Sequence, residues 1–454
     1  MSLDVVILAA GKSTRFASRL PKVLHLLGER PLVAYAVELA MQFTATPPVV
    51  IVSPESADAI RAWGGERVRY VVQPEPRGTG HAVRQARALL EGQAEHVLVL
   101  YADMPLVQEA TLRHLVERHL TRQAAATLLT VTGEVTHGCG RLVREAIVEG
   151  AEATPDSATI HEQSSGSGVF AAAVLWEFLE QLQAGPRKGE YSLTDIVAPV
   201  AATGQTVETL TVTDPTEAID INTRVDLALA EAVLRQRINA RWMLAGVTLV
   251  DPASTYIGPN VTIGQDTVIQ PNTHLRGTTT IGTGCTIGPN SLITGSTIGD
   301  RCVVLASVLE YAVMEEDSNI GPFSHLRQGA RVCHGAHVGN FGEMKNSTLG
   351  PHAKMGHFSY LGDAQVGEDV NIGAGTITCN FDGERKHPTV IEEGTFIGSD
   401  SLLIAPVHIG AGAKTGAGSV VTHDIPARTV VYGVPARVHK QLDAEPTESK
   451  SDQE

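Results

Sequence analysis

The sequence predicts two architectures in series: an α/β domain built on a parallel sheet, then a parallel β-helix of hexapeptide repeats. Three observations predict it. Short apolar runs alternate with helically spaced segments through the first half, and an apolar–Gly pair recurs at six-residue intervals through the second. The composition joins 44 glycines to only 4% aromatic residues, which suits a repetitive β structure better than a ring-filled core. At 454 residues the chain is also longer than one ordinary core spans.

Residues 5–9 form a continuous apolar run, as in a strand buried on both faces. Residues 32–41 carry apolar side chains at helical spacing, 49–52 form the next strand, 80–90 a helix and 97–101 a third strand. Strands separated by helices imply βαβ units and a parallel sheet covered on both sides, with ligands at the carboxyl ends of its strands. A long helical pattern rich in Ala, Leu, Glu and Arg runs over 225–244, after which the period changes. The expected organisation is an α/β domain over 1–224, a helical linker over 225–246, a β-helix over 247–440 and a polar, disordered tail over 441–454.

The repeat series begins at Ile257-Gly258 and Ile263-Gly264, with Ile269, Leu275 and Ile293 filling matching slots. It continues through Ile320-Gly321, Val338-Gly339, Met355-Gly356, Ile372-Gly373, Ile397-Gly398 and Ile409-Gly410. An apolar residue every six positions can point into a narrow solenoid whose coils bury it on their neighbours. The following Gly then sits at a turn where a side chain would crowd.

A net charge of −15 disfavours nucleic acid as a partner but leaves an anionic small molecule open. Cys139, Cys285, Cys302, Cys333 and Cys379 form no C-x-x-C pair and read as reduced thiols of a cytoplasmic protein. The first residues lack the basic region of a signal peptide, and no run of about 18 apolar residues predicts a membrane span.

The segment Leu8 to Arg15, L-A-A-G-K-S-T-R, follows the first strand directly. A Gly-rich turn there exposes backbone N–H groups that can cradle phosphate, with Lys12, Arg15 and Lys22 adding positive charge. Together with L-P-K-V-L at 20–24, Q-P-E-P-R-G-T-G-H-A at 73–82 and Y-A-D-M-P at 101–105, it resembles the sugar-phosphate nucleotidyltransferases. Within them the chain resembles the bifunctional N-acetylglucosamine-1-phosphate uridylyltransferase/glucosamine-1-phosphate acetyltransferases, from residue 5 to about 438.

The resemblance implies a Rossmann-like nucleotidyltransferase domain. It would transfer uridylyl from UTP to N-acetylglucosamine-1-phosphate with Mg²⁺, releasing pyrophosphate. Leu8, Ala9, Ala10 and Gly11 would line the nucleotide site, Lys22 contact the phosphates, and Gln73, Gly78 and Thr79 hold uracil and ribose. Tyr101, Gly140, Glu149 and Asn222 match sugar- and nucleotide-contacting positions. Asp103 and Asn222 match the Mg²⁺ ligands, as suits an ion that prefers oxygen. Ser13 replaces a usual Gly, Cys139 a common aromatic residue, and Gly166 falls where the family carries an Asn on the sugar.

The second half resembles the left-handed β-helix acyltransferases. That resemblance implies the hand, three hexapeptides per triangular coil, and a homotrimer with active sites between subunits. Residues 321–381 place Arg, Lys, His, Tyr and Asn near turns, where a solenoid core requires none of them. Arg327 and Lys345 stand 18 residues apart, one coil, so both cations can stack on one edge and hold a sugar phosphate. His357 is the candidate general base, taking a proton from the glucosamine amine as it attacks the thioester of acetyl-CoA; an imidazole titrates near neutrality, as this needs. Glu343 is the candidate for orienting it.

By resemblance, Arg327, Lys345, Tyr360 and Asn371 bind glucosamine-1-phosphate, and Ala374, Asn380, Phe381, Ser399 and Ala417 bind acetyl-CoA. Phe381 replaces a family Tyr, and Gly433 falls at a basic CoA contact. His25, His81 and His408 read as structural or surface residues. A monofunctional nucleotidyltransferase with an assembly-only β-helix would need no base such as His357. A binding scaffold without catalysis would not need Lys22, Asp103 and Asn222 together.

Overall fold

A computed structural model describes residues 2–12, 14–132, 140–143, 146–148, 162–184 and 189–442. The expectations at Ser13, Cys139 and Glu149, and for residues 443–454 of the tail, lie outside the described residues. The chain forms two compact units, Met1–Leu234 and Arg235–Glu454.

In the first unit the elements run β1 (Leu3–Ala9), α1 (Leu32–Ala40), β2 (Val49–Val52), β3 (Arg69–Val72), α2 (Thr79–Gln85) and β4 (His96–Tyr101). There follow α3 (Glu109–Thr121), β5 (Ala126–Thr132), β6 (Gly140–Val143), β7 (Ala146–Val148), β8 (Glu162–Ala171), α4 (Ala172–Gln181), β9 (Val207–Thr211) and α5 (Arg224–Leu244). The main path of the sheet is β9-β5-β8-β4-β1-β2-β3, with β6 and β7 attached through β8. The apolar run of β1 is continuous because alternate residues serve opposite faces. Val6 and Leu8 join one core cluster, and Val5, Ile7 and Ala9 the other.

Two expectations change. The sheet is mixed, because β8 runs antiparallel to both β4 and β5. An antiparallel neighbour needs no crossover helix, so the β-helix-β rhythm read from the first strands does not extend to it. The helix expected over 80–90 is two, α2 and a separate turn, Arg87–Leu90.

The second unit is a stack of short parallel strands in three sheets of 12, 10 and 9 strands, which form its three faces. The first runs from Thr248–Leu249, the second from Tyr256–Ile257 and the third from Thr262–Ile263. The repeating apolar residue of each strand points inward, and these residues form one continuous core. Buried Ser and Thr at the corners satisfy the backbone: Thr267 Oγ1 donates to the Gly282 carbonyl at 2.8 Å, and Ser347 Oγ to that of Leu361 at 3.1 Å. Coil length varies. Ile269 pairs with Ile287, eighteen residues on, Ile281 with Ile298, seventeen on, and Ile298 with Met314, sixteen on. An antiparallel hairpin of Thr429–Gly433 and Ala436–Gln441 ends the first face.

The division between units falls inside α5. Leu227, Ala230, Val233 and Leu234 pack with Phe16, Leu27 and Leu32 of the first unit, while Ile238 and Trp242 pack on the β-helix core. Among the described residues no helix is long and apolar enough to cross a membrane.

Two candidate active sites

β1 and β4 lie side by side with Leu8 opposite Tyr101, so the loop after Ala9 and the segment holding Asp103 leave the sheet at one edge. The Ala102 N–H donates to the Leu8 carbonyl at 3.0 Å, and the Ile221 N–H to that of Asp103 at 2.9 Å. The second bond carries Asn222 to the same point. There the Lys22 ammonium lies 2.7 Å from Asp103 Oδ2 and 3.1 Å from Asn222 Oδ1. Arg15 donates to that amide oxygen at 2.8 Å, and Asn222 Nδ2 donates to Asp220 Oδ2 at 2.5 Å. Asp226 Oδ2 accepts from the N–H groups of Asn222 and Thr223 at 3.0 and 2.7 Å, capping α5.

Sequence reasoning missed Asp220. Burial, and then the charge of Asp103, hold its carboxyl well above the ordinary carboxylate range. Its Oδ1 is buried without a hydrogen-bond partner among the described residues. A positive group, the Lys22 ammonium, already sits between the oxygens of Asp103 and Asn222, and these, with those of Asp220, are hard oxygens. The set therefore fits a divalent cation. No cluster of three or more His, Cys, Asp or Glu side chains is placed to hold a metal among the described residues. The oxygen set is two carboxylates and an amide.

A cavity of about 400 Å³ opens beside this constellation, lined in part by Ala9, Gly11, Lys12, Lys22, Ser53 and Glu55. Gln73 is buried, with Nε2 donating to the Gly78 carbonyl at 3.1 Å and meeting His81 Nδ1 at 3.0 Å. His81 also reaches Gln85, and burial holds its imidazole below the usual range. Thr79 Oγ1 accepts from the Leu193 N–H at 2.9 Å, tying this loop to residues 190–195. Gly78 has φ 101° and no room for a Cβ, which would lie 2.5 Å from the Tyr191 carbonyl oxygen. Gly140 pairs with Ser164 of β8. Gly166 has φ 85°, and a Cβ there would lie 2.7 Å from the Tyr101 ring, so an Asn at this position must displace that ring.

The second site is carried on turns of the β-helix. Val338, Met355, Ile372 and Ile397 are register partners on successive coils of the first face. The turns that follow them therefore stack, and His357, Ala374 and Ser399 hold equivalent places. Ala417 continues the column: a Cβ on Gly373 would lie 2.6 Å from Ser399 N, and one on Gly398 2.8 Å from Ala417 N. His357 is exposed, beside the exposed Phe358. Asn371 lies on the first face, opposite Lys354 and Phe396.

A second column follows the second face. Leu326 pairs with Met344, which sets Arg327 beside Lys345, and Lys345 pairs with Gly362. Lys386 joins them, another residue that sequence reasoning missed. Its hydrogen bond and charge, and then Arg327, hold the Lys345 ammonium below the ordinary lysine range. Burial raises the Asp363 carboxyl. Hydrogen bonds from Asn346 and Asn380, both 2.6 Å, and the charges of Lys386 and Lys345 outweigh this and leave it low. Phe381 is exposed at the start of the excursion that carries Lys386, and the two residues form a bridge.

Glu343 stands opposite Tyr360 on the second face and accepts from Arg327 at 2.9 Å. Expected beside His357, it is instead held by the guanidinium of the neighbouring coil, which offers a charge-assisted bond. The structure thus gathers Arg327, Lys345, Asn380 and Lys386 on one edge. It gathers His357, Ala374, Ser399 and Ala417 on another, and leaves Asn371 apart from the cationic edge.

Residues 5–195 match the MobA-like NTP transferase domain family, and residues 260–295 and 388–423 match the bacterial transferase hexapeptide family. The chain is 44% identical to the bifunctional protein GlmU of Heliobacterium modesticaldum, over 93% of each chain. It is 40% identical to that of Shouchella clausii, over 96% of this chain and 97% of the relative. It is 43% identical to that of an Exiguobacterium species, over 97% and 99%. With these identities sustained through both units, the chain belongs to the bifunctional GlmU family, a nucleotidyltransferase followed by a hexapeptide-repeat acetyltransferase.

Proposed function

We propose the following residue roles for the two activities of this enzyme, acetyl transfer to glucosamine-1-phosphate and then uridylyl transfer to the N-acetylated product. In the first unit, Lys22 neutralises the UTP phosphates while Leu8 to Gly11 cradle them with backbone N–H groups. Gln73, Gly78 and Thr79 hold the base and ribose, and Tyr101, Gly140 and Glu149 face the sugar. A sugar-phosphate oxygen attacks the α-phosphorus, and the bond to pyrophosphate breaks. Asp103 and Asn222 hold the divalent cation, for which we propose Mg²⁺; when bound, it draws charge off the reacting phosphate. Lys22 lies 2.7 and 3.1 Å from their oxygens, so its ammonium would compete with a cation for them.

In the second unit, Arg327, Lys345 and Lys386 hold the sugar phosphate, with Tyr360 and Asn371 on the sugar. His357 removes a proton as the amine nitrogen attacks the thioester carbonyl. The C–S bond then breaks and CoA leaves as its thiol. Ala374, Asn380, Phe381, Ser399 and Ala417 line the donor. The observation that carries this reading is the column in which His357 stacks with Ala374 and Ser399. Because the cationic edge and the His357 edge are different corners of one chain, we propose a cytoplasmic homotrimer in which edges of neighbouring copies complete each site.

Crossed variants test the assignment. Asp103→Ala is expected to abolish pyrophosphate release and leave CoA release intact, and His357→Ala to do the reverse. Survival of both activities in Asp103→Ala, or loss of both in His357→Ala, would refute it.

A further inference from the structure

We infer that Asp220 is a positioning residue of the divalent-cation site: its carboxylate fixes the Asn222 amide so that oxygen, not the NH₂ group, faces the cation. The inference rests on the reading of Asn222 as a holder of that cation.

An asparagine amide is nearly symmetric in shape but has a donor end and an acceptor end, so its use as a ligand depends on which way it is turned. The backbone at Asn222 is already fixed. Its N–H donates to Asp226 Oδ2 at 3.0 Å, and the preceding Ile221 N–H donates to the Asp103 carbonyl at 2.9 Å. The side-chain flip is the freedom that remains. Two groups favour the oxygen-inward state from the site itself, Lys22 at 3.1 Å and Arg15 at 2.8 Å. Both are cations beside a phosphate cradle, and bound nucleotide phosphates draw them away. Asp220 acts from the opposite side. Its Oδ2 lies 2.5 Å from Asn222 Nδ2 and accepts that N–H, which holds the amide with its oxygen toward the site.

The test is Mn²⁺ binding to the full chain with UDP-N-acetylglucosamine present, followed by the electron paramagnetic resonance signal of free Mn²⁺. Asn222→Ala comes first: unchanged binding there would remove the ligand reading, separately from the role of Asp220. With Asn222 confirmed, Asp220→Ala is expected to weaken Mn²⁺ binding by about tenfold, the usual effect of losing a group that orients a metal ligand. Asp220→Asn keeps an oxygen that can accept the same bond and should stay within about threefold of the parent. In an Asn222→Asp background, oxygen faces the site in either flip state, so Asp220→Ala should cost less than about twofold. Unchanged binding in Asp220→Ala overturns the inference. So does an undiminished loss in the Asn222→Asp background, which would mean damage to the fold, or a loss in Asp220→Asn as large as in Asp220→Ala, which would mean that charge alone matters.

Discussion

Gly339 and Gly356 occupy the same place on successive coils, yet Gly339→Ala should cripple acetyl transfer while Gly356→Ala leaves the fold intact. A Cβ on Gly339 would lie 1.9 Å from the Gly356 carbonyl oxygen and 2.3 Å from its carbon. Ordinary contact begins near 3.4 Å, so the coils must part by about 1.5 Å, and both partners are backbone that no rotamer can move aside. The Gly339 N–H also donates to the Met355 carbonyl at 2.7 Å across the same junction, and parting the coils strains it. Overpacking of this kind costs about 1–3 kcal/mol, and a weakened backbone bond adds about 1 kcal/mol. His357 follows the displaced peptide directly. A shift of about 1 Å in a reacting group lowers turnover by roughly a hundredfold. The assay is thiol release from acetyl-CoA, with uridylyl transfer by the same chain as internal control and thermal unfolding as the measure of stability. At Gly356 a Cβ meets nothing within 4 Å, so Gly356→Ala should melt with the parent. Acetyl turnover in Gly339→Ala within about threefold of the parent, or equal destabilisation by the two substitutions, would refute the stacking argument.

Other outcomes follow from single groups. His119 is fully buried, and burial, then His96, lowers its imidazole from 6.5 in the unfolded chain to about 4. The folded state keeps it neutral, so its contribution is complete above pH 6.5 and is lost as pH falls toward 4, at up to about 1.4 kcal/mol per pH unit. Urea unfolding of the first unit at a series of pH values checks this, and an equally steep loss in His119→Gln would refute it. Lys386→Ala should raise the KM for glucosamine-1-phosphate by about tenfold, the worth of one charge-assisted bond, without touching the UTP reaction. An unchanged KM removes Lys386 from the anion site. Gly166→Asn should destabilise the first unit by about 1–3 kcal/mol, from the collision with Tyr101, and should restore no sugar affinity. A variant as stable as the parent would mean that the Tyr101 ring is free to move.

Part of the first candidate site was legible because the Leu8 to Gly11 turn and Asp103 follow strands that their own apolar runs announce. Lys22, Asp103 and Asn222 are far apart in sequence, yet family resemblance marked them, and the Ile221–Asp103 backbone bond and the turn at Lys22 bring them within hydrogen-bond reach. Asp220 was not legible. Its meaning depends on the direction of one amide and on a buried oxygen, and neither leaves a mark on spacing or composition. The antiparallel β8 was hidden for a similar reason. Apolar patterning shows that a strand is buried but not the direction in which it runs.

The β-helix separates what holds the fold from what does the chemistry, and this decides what its sequence discloses. The inward residue of each strand is fixed by packing on the coils above and below, so the six-residue period reports the core directly. Residues at the corners are not needed for that packing and can carry function, and a charged or imidazole side chain there stands out against the repeat. Spacing locates them only while coil length is constant. Arg327 and Lys345, eighteen apart, do stack, but Lys345 is opposite Gly362, seventeen on, and Tyr360 lies opposite Glu343 on the face between the two columns. Lys386 escapes the period altogether, because it lies in an excursion that Asp382 closes by accepting from the Glu384 and Arg385 N–H groups, both at 2.8 Å. A residue delivered by such a loop is tied to the site by the loop's own hydrogen bonds. Asp382 is thus as much a determinant of the cationic edge as the coil that carries Arg327.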